Sequence, residues 1–160
     1  MAQSLSHIYV HIIFATCNRE KLLDSSLATR LWEYLAGVCQ AAQCPPVKIG
    51  GTNDHVHILC ELSREISIRD LVSKLKISSS KWIKNAVPEL YYFRWQGGYG
   101  AFSINPAETS VVVDYIAKQK IHHKNFTFQE EYVAFLKNTA LIMMKKFCGV
   151  DFLIPFSSIL

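Results

Sequence analysis

Gly50-Gly51-Thr52-Asn53-Asp54-His55-Val56-His57-Ile58-Leu59 reads as the end of one strand, a tight turn and the start of a second. Side chains alternate across a strand, so His55 and His57 point to one face and Val56 to the other. Two imidazoles side by side on a rigid platform form half of a divalent-metal site. The same spacing also suits two polar residues on the wet face of a half-buried strand, the commoner outcome for an isolated His-x-His. The turn residues Thr52-Asn53-Asp54 tolerate tight backbone, so residues 47–51 and 55–62 are expected to pair as a hairpin.

Working outward, residues 7–17 (HIYVHIIFATC) are rich in β-branched and aromatic side chains and read as a first strand. Asp24-Ser25-Ser26 offers capping groups for a helix in which Leu27, Leu31, Tyr34, Leu35 and Val38 recur at helical spacing to about Gln43. Pro45-Pro46 stops it. A second helix is expected over residues 67–86, with Ile68, Leu71, Val72, Leu75, Trp82 and Ile83 on its apolar side. An aromatic, glycine-containing loop over residues 91–99 leads into a short fourth strand ending at Ile104. Asn105-Pro106 then introduces a third helix running through Val111, Val112, Tyr115, Ile116 and Gln119. The order βαββαβ followed by α predicts an α+β, ferredoxin-like sandwich also used by RNA-recognition domains: an antiparallel sheet with helices on one face, plus a C-terminal tyrosine-bearing helix.

The chain has 160 residues, near the usual size of one domain, with half of them hydrophobic and 19% charged. A net charge of +4 and a pI near 8.8 are compatible with a nucleic-acid partner without demanding one. Cys17, Cys39, Cys44, Cys60 and Cys148 are odd in number and lack C-x-x-C spacing, which argues against a zinc knuckle or a disulfide framework. Reduced cysteines in a cytoplasmic protein are the expectation. No basic leader or long apolar run opens the chain, so neither secretion nor membrane spanning is expected.

Tyr115 and Gln119 are four positions apart, and a helix brings both to one face. Opposite two histidines on a strand, they suggest a specific chemistry. The imidazoles and the Gln119 carbonyl oxygen could hold Mg²⁺ or Mn²⁺, polarising a phosphodiester while the Tyr115 oxygen attacks phosphorus. Each residue also has an ordinary role open to it: Tyr115 as a core-edge aromatic, Gln119 as a surface side chain. His122-His123 suit phosphate or solvent contacts, and Asp54 suits the turn, with support of a neighbouring histidine as its other option.

Several blocks agree together with one family. GTNDHVHILCEL, SIRDLVSKLKISSSKWI, WQGGYGAFSI and VVVDYIAKQKIHHKNFTFQEEYVAFLK, with SLSHIYVHIIFATCNRE ahead of them, resemble in order and spacing the small single-tyrosine transposases of bacterial insertion sequences. These belong to the superfamily named for its His-hydrophobe-His motif. The resemblance implies that His55 and His57 are the metal-binding pair, Tyr115 the nucleophile and Gln119 the third metal ligand. It further implies cutting and rejoining of single-stranded DNA with hairpin ends through a 5′-phosphotyrosine, by a homodimer whose active sites can be shared between subunits. Arg94, Lys118, Lys120 and Lys81 are the candidate DNA contacts, and the aromatics Tyr91, Tyr92, Phe93, Trp95 and Tyr99 include candidate stacking platforms. The alternative of another class is a non-catalytic or host-adopted nucleic-acid-binding module on the same scaffold, for which Tyr115 and metal would be irrelevant.

The resemblance covers residues from about Ser4 to Lys137, where it stops, and a single domain over residues 1–137 is expected. Residues 138–160 (NTALIMMKKFCGVDFLIPFSSIL) form an atypical tail with no clear amphipathic period. Family members commonly finish with a stretch like YGIDYDEKYLW. Synonymous codons for the tail can be chosen that, in another frame, encode YGIDYDEKILWG and a stop. The expectation is a tail translated out of frame after a small insertion or deletion near Asn138, which the gene's own codons would decide.

Overall fold

The computed structural model describes residues 5–119. Four antiparallel strands, β1 (Tyr9–Ala15), β2 (Pro46–Gly51), β3 (His55–Glu61) and β4 (Gly100–Ile104), form one sheet in the order β2-β3-β1-β4. The helices are α1 (Ser25–Ala41), α2 (Ile68–Ala86) and α3 (Thr109–Ala117). The element order and strand order are those of the ferredoxin-like sandwich expected from the sequence.

Both long helices start on side-chain caps. Asp24 accepts from the Ser26 and Leu27 amides, and Ser67 accepts from the Asp70 amide, satisfying donors that a helix leaves unpaired. Helix α1 stops at Ala41 rather than Gln43, because Gln43 turns into the left-handed region (φ 57°) ahead of the two prolines. The buried stripes Leu27, Leu31, Leu35 and Cys39 of α1 and Leu71, Leu75, Ser79 and Ile83 of α2 cover one face of the sheet. They meet Val10, Ile12, Phe14, Val56, Ile58 and Cys60 from β1 and β3 in the main core. The aromatic loop is divided: Phe93 and Trp95 are buried, Trp95 Nε1 donates to Ser79 Oγ at 2.9 Å, and Tyr91 and Tyr92 are exposed. Cys39, Cys44 and Cys60 are buried free thiols.

The third helix differs from expectation in two ways. It is preceded by a 3-10 turn at Pro106–Glu108, and it ends at Ala117, with Lys118 in a turn before Gln119. The Lys118 amide is shared between the Asp114 and Tyr115 carbonyls, a bifurcated bond typical of a tightening helix end. Helix α3 packs on the face opposite α1 and α2, where Val112 and Ile116 join Leu59 and Ile104 in a second, smaller cluster. Among the described residues no helix is long and apolar enough to cross a membrane. The boundary at residue 137, the tail, Lys120 and His122-His123 lie outside the described residues.

Candidate active site

Gly50 and His57 are partners in the β2–β3 register, and Ile13 faces His57 from β1. The alternation that sends Val56 and Ile58 into the main core sends His55 and His57 to the opposite face. That face is not wet. His55 and His57 are fully buried, because α3 lies across the sheet. Gly50 permits the approach: a Cβ there would sit 2.8 Å from Ile116 Cγ2 and 3.1 Å from the Ile116 carbonyl oxygen. At Gly51 an added side chain would run into the His55 carbonyl. The glycine pair that opens the quoted stretch is therefore a landing place for α3 and a tight entry into the turn.

Tyr115 comes down edge-on to His57, with ring centroids 5.6 Å apart and planes at 83°. His55 and His57 lie 5.0 Å apart, centroid to centroid. Gln119 is buried while its neighbours Ala117 and Lys118 are exposed, so its amide is turned inward. The four residues singled out from the sequence thus come from β3 and from α3 with its following turn, and all belong to one chain.

A third histidine joins them. His11, fully buried on β1, places Nε2 3.0 Å from His57 Nδ1 and stacks on that ring at 5.2 Å. It also lies edge-on to Tyr115 at 6.3 Å. Burial pushes the His11 pKa down to about 3, so the ring is neutral near pH 7. In the sequence it was only one residue of an apolar strand, and a histidine inside YVHIIFA was the one available signal.

His55 is held from the other side. Its Nδ1–H donates to Asp54 Oδ1 at 2.7 Å, and the Thr52 hydroxyl donates to the same oxygen at 2.8 Å. Arg19 Nε donates to Asp54 Oδ2 at 3.1 Å. Burial alone would raise the Asp54 pKa; the His55 hydrogen bond and charge, Arg19 and Thr52 together outweigh it and hold the carboxyl well below the usual range. Asp54 therefore does more than shape the turn: it is a carboxylate backing an imidazole. Asn18 and Arg19 occupy the left-handed region (φ 54° and 58°), uncommon for residues other than glycine. Nothing local in the sequence marked Arg19, whose partner is far away in the chain.

A divalent cation fits these donors. With both Nδ1 atoms engaged, Nε2 is the nitrogen that His55 and His57 would each offer, and the Gln119 amide oxygen suits the same ion. Among the described residues no three His, Cys, Asp or Glu side chains are grouped to hold a metal. An ion here would depend on the amide and on oxygens from water or substrate.

The basic candidates separate. Arg94 is exposed beside Tyr92, Cys17, Glu20 and Leu22, which line a pocket of about 340 Å³. Its carbonyl accepts from the Cys17 amide, and the adjacent Thr16 amide donates to the Asp54 carbonyl, so this pocket adjoins the Asp54 corner. Lys118 is exposed at the end of α3. Lys81 is exposed on α2, across the sheet from the histidines, and the fold does not bring it to them.

The family model for IS200-like transposases matches residues 4–119, the whole of this sandwich and site. The chain belongs to the IS200-like transposase family. Its activity class is accordingly that of a transposase, enzymatic cleavage and transfer of DNA. Among solved structures it is similar to a candidate transposase from Deinococcus radiodurans R1, with 23% identity and a TM-score of 0.61, covering 74% of this chain and 98% of that one. It is also similar to a REP-associated tyrosine transposase bound to a REP hairpin, with 16% identity and a TM-score of 0.55, covering 77% and 74%. These likenesses establish the shared fold. No curated protein matches the chain.

Proposed function

We propose that this transposase cleaves and rejoins single-stranded DNA through a covalent 5′-phosphotyrosine at Tyr115. The observation that carries the reading is the Tyr115 ring packed edge-on to His57 within one buried site, at 5.6 Å. The Tyr115 oxygen attacks phosphorus, the Tyr115 O–P bond forms, and the P–O3′ bond breaks. The phenolic proton is lost to solvent and the departing 3′ oxygen ends as a hydroxyl. The phosphodiester energy stays in the O–P bond, so a 3′-hydroxyl of another strand can reverse the step without ATP.

A phenol with an ordinary pKa near 10 is a weak nucleophile, so the site must help the leaving group. Mg²⁺ or Mn²⁺ held by His55, His57 and Gln119 would polarise the phosphodiester and stabilise charge growing on the leaving oxygen. The chain's own contribution is orientation. Asp54 and Thr52 fix His55, and α3 fixes Tyr115 over His57. Arg94, beside the 340 Å³ pocket with Tyr92, is suited to a phosphate and an unpaired base, and Lys118 to a phosphate nearby. A DNA hairpin is the proposed recognition element, a reading supported by the hairpin-bound relative. Dimerisation belongs to the same proposal.

The test is a denaturing gel with labelled single-stranded ends of the DNA flanking the gene, in Mg²⁺ or Mn²⁺. A covalent adduct that needs metal and vanishes in Tyr115→Phe is expected. DNA binding without an adduct under either metal would sink the reading.

A further inference from the structure

His55 is backed by a carboxylate, whereas His57 is backed by another imidazole. In the β1–β3 register His11 faces Leu59 and Ile13 faces His57, so His11 is the diagonal neighbour of His57 on the same face. Its Nε2 lies 3.0 Å from His57 Nδ1, both rings fully buried and inclined by only 25°. Between two imidazole nitrogens at hydrogen-bond distance, one must carry the hydrogen and the other the lone pair. If His11 Nε2 donated, the His57 hydrogen would sit on Nε2, and that nitrogen could not ligate a cation. If His11 Nε2 accepts, the hydrogen is on His57 Nδ1 and the lone pair on Nε2. With each ring carrying one hydrogen, the second arrangement also puts the hydrogen of His11 itself on Nδ1.

We propose that His11 is a positioning residue whose Nε2 lone pair holds His57 as the Nδ1–H tautomer and presents His57 Nε2 to the metal. This rests on the metal-site reading given under Proposed function and assigns a part in it to a residue of β1. Histidine ligands are commonly oriented through the nitrogen not bound to metal, usually by a carboxylate or a backbone carbonyl. Here a neutral imidazole does so, and the same ring lies against Tyr115 at 6.3 Å. His11 thus sets the spacing of both the ligand and the nucleophile from one place on the central strand.

A role in packing alone predicts that any side chain of similar bulk suffices. A role in hydrogen bonding predicts that leucine fails and glutamine, whose amide oxygen can accept from His57 Nδ1–H, succeeds. Long-range ¹H–¹⁵N spectra of the imidazoles in the metal-free full chain report the tautomer directly. The wild type is expected to show His57 protonated on Nδ1; an Nε2–H signature would overturn the proposal without any variant. In His11→Leu the His57 signature should move towards Nε2–H, and Mn²⁺ affinity, read by paramagnetic resonance, should fall by about 10–100-fold. His11→Gln should restore the tautomer and bring affinity back to within a few-fold. Equal losses in both variants, or no loss in either, would refute it. Should His11→Leu fail to fold, the wild-type tautomer and His11→Gln still decide. A wild type that binds no Mn²⁺ would defeat the metal site itself, and that failure is separate from the tautomer, which is read without metal.

Discussion

The two faces of one sheet are built to different ends. Towards α1 and α2, β1 and β3 present Val10, Ile12, Phe14, Val56, Ile58 and Cys60, packed under two long helices. Towards α3, the same strands present His11, His55 and His57, covered by a helix of nine residues and a cluster of Leu59, Ile104, Val112 and Ile116. Adjacent residues along a strand therefore serve opposite purposes. The first face gains stability from apolar area removed from water. The second buries polar rings, which costs free energy unless each is hydrogen-bonded, and here Asp54 and His11 supply such bonds. A scaffold stable on one side can hold a chemically demanding site on the other.

The two faces should separate most clearly at Tyr115. Tyr115→Phe should abolish covalent adduct formation, a loss on the order of 10³-fold or more, while the melting temperature barely changes. Equal adduct in the variant would remove Tyr115 from the chemistry. On the other face, Ile58→Ala should cost about 2–5 kcal/mol of stability by leaving a cavity. Denaturant titration reads that cost, and the folded fraction should still form adduct at low temperature. A stability loss below 1 kcal/mol would contradict the core assignment.

Asp54→Asn keeps the shape but removes the charge behind His55, and should weaken Mn²⁺ binding by about 10–100-fold in a direct titration. Unchanged affinity would return Asp54 to a purely structural turn role. Gly50→Ala sharpens the contrast further. Its Cβ would press on Ile116, at a cost of about 1–3 kcal/mol from overpacking, and should reduce adduct formation more than it lowers the melting temperature. If stability and activity fell in proportion, α3 would belong to the core rather than to the site.

The smallest effect is at the rim of the core face. Lys76 reaches the Gln96 and Gly98 carbonyls and lies over the Phe14 ring, and burial lowers its pKa from 10.5 to about 8. Between about pH 8 and 10.5 the unfolded chain then holds more protons at this residue than the folded one, so its contribution to stability rises with pH across that window. The stability of wild type relative to Lys76→Met should accordingly increase over the same range. A flat difference would show that Lys76 titrates normally.

Much of the site's geometry is legible in the sequence because it depends on local periodicity. The period of two in His55-Val56-His57 placed both rings on one face, and the period of 3.6 put Tyr115 and Gln119 together, although a turn at Lys118 interrupts the helix between them. Lys81, a candidate DNA contact, lies across the sheet from the histidines; charge on a helix carries no information about which side of the sheet the helix takes. Arg19 and the partnership of His11 with His57 were invisible because they join residues distant in sequence.

The order of the strands and helices, their caps and breaks, and the residue types capable of metal and nucleophile chemistry are all written in the sequence. These follow from hydrophobic alternation, turn chemistry and side-chain donors, all properties of short stretches of chain. That α3 lies across the histidines, that Gly50 admits it and that His11 backs His57 came from the tertiary structure alone. Those outcomes depend on strand register and on close packing between distant segments. A one-residue slip of register would send every one of these side chains to the other face.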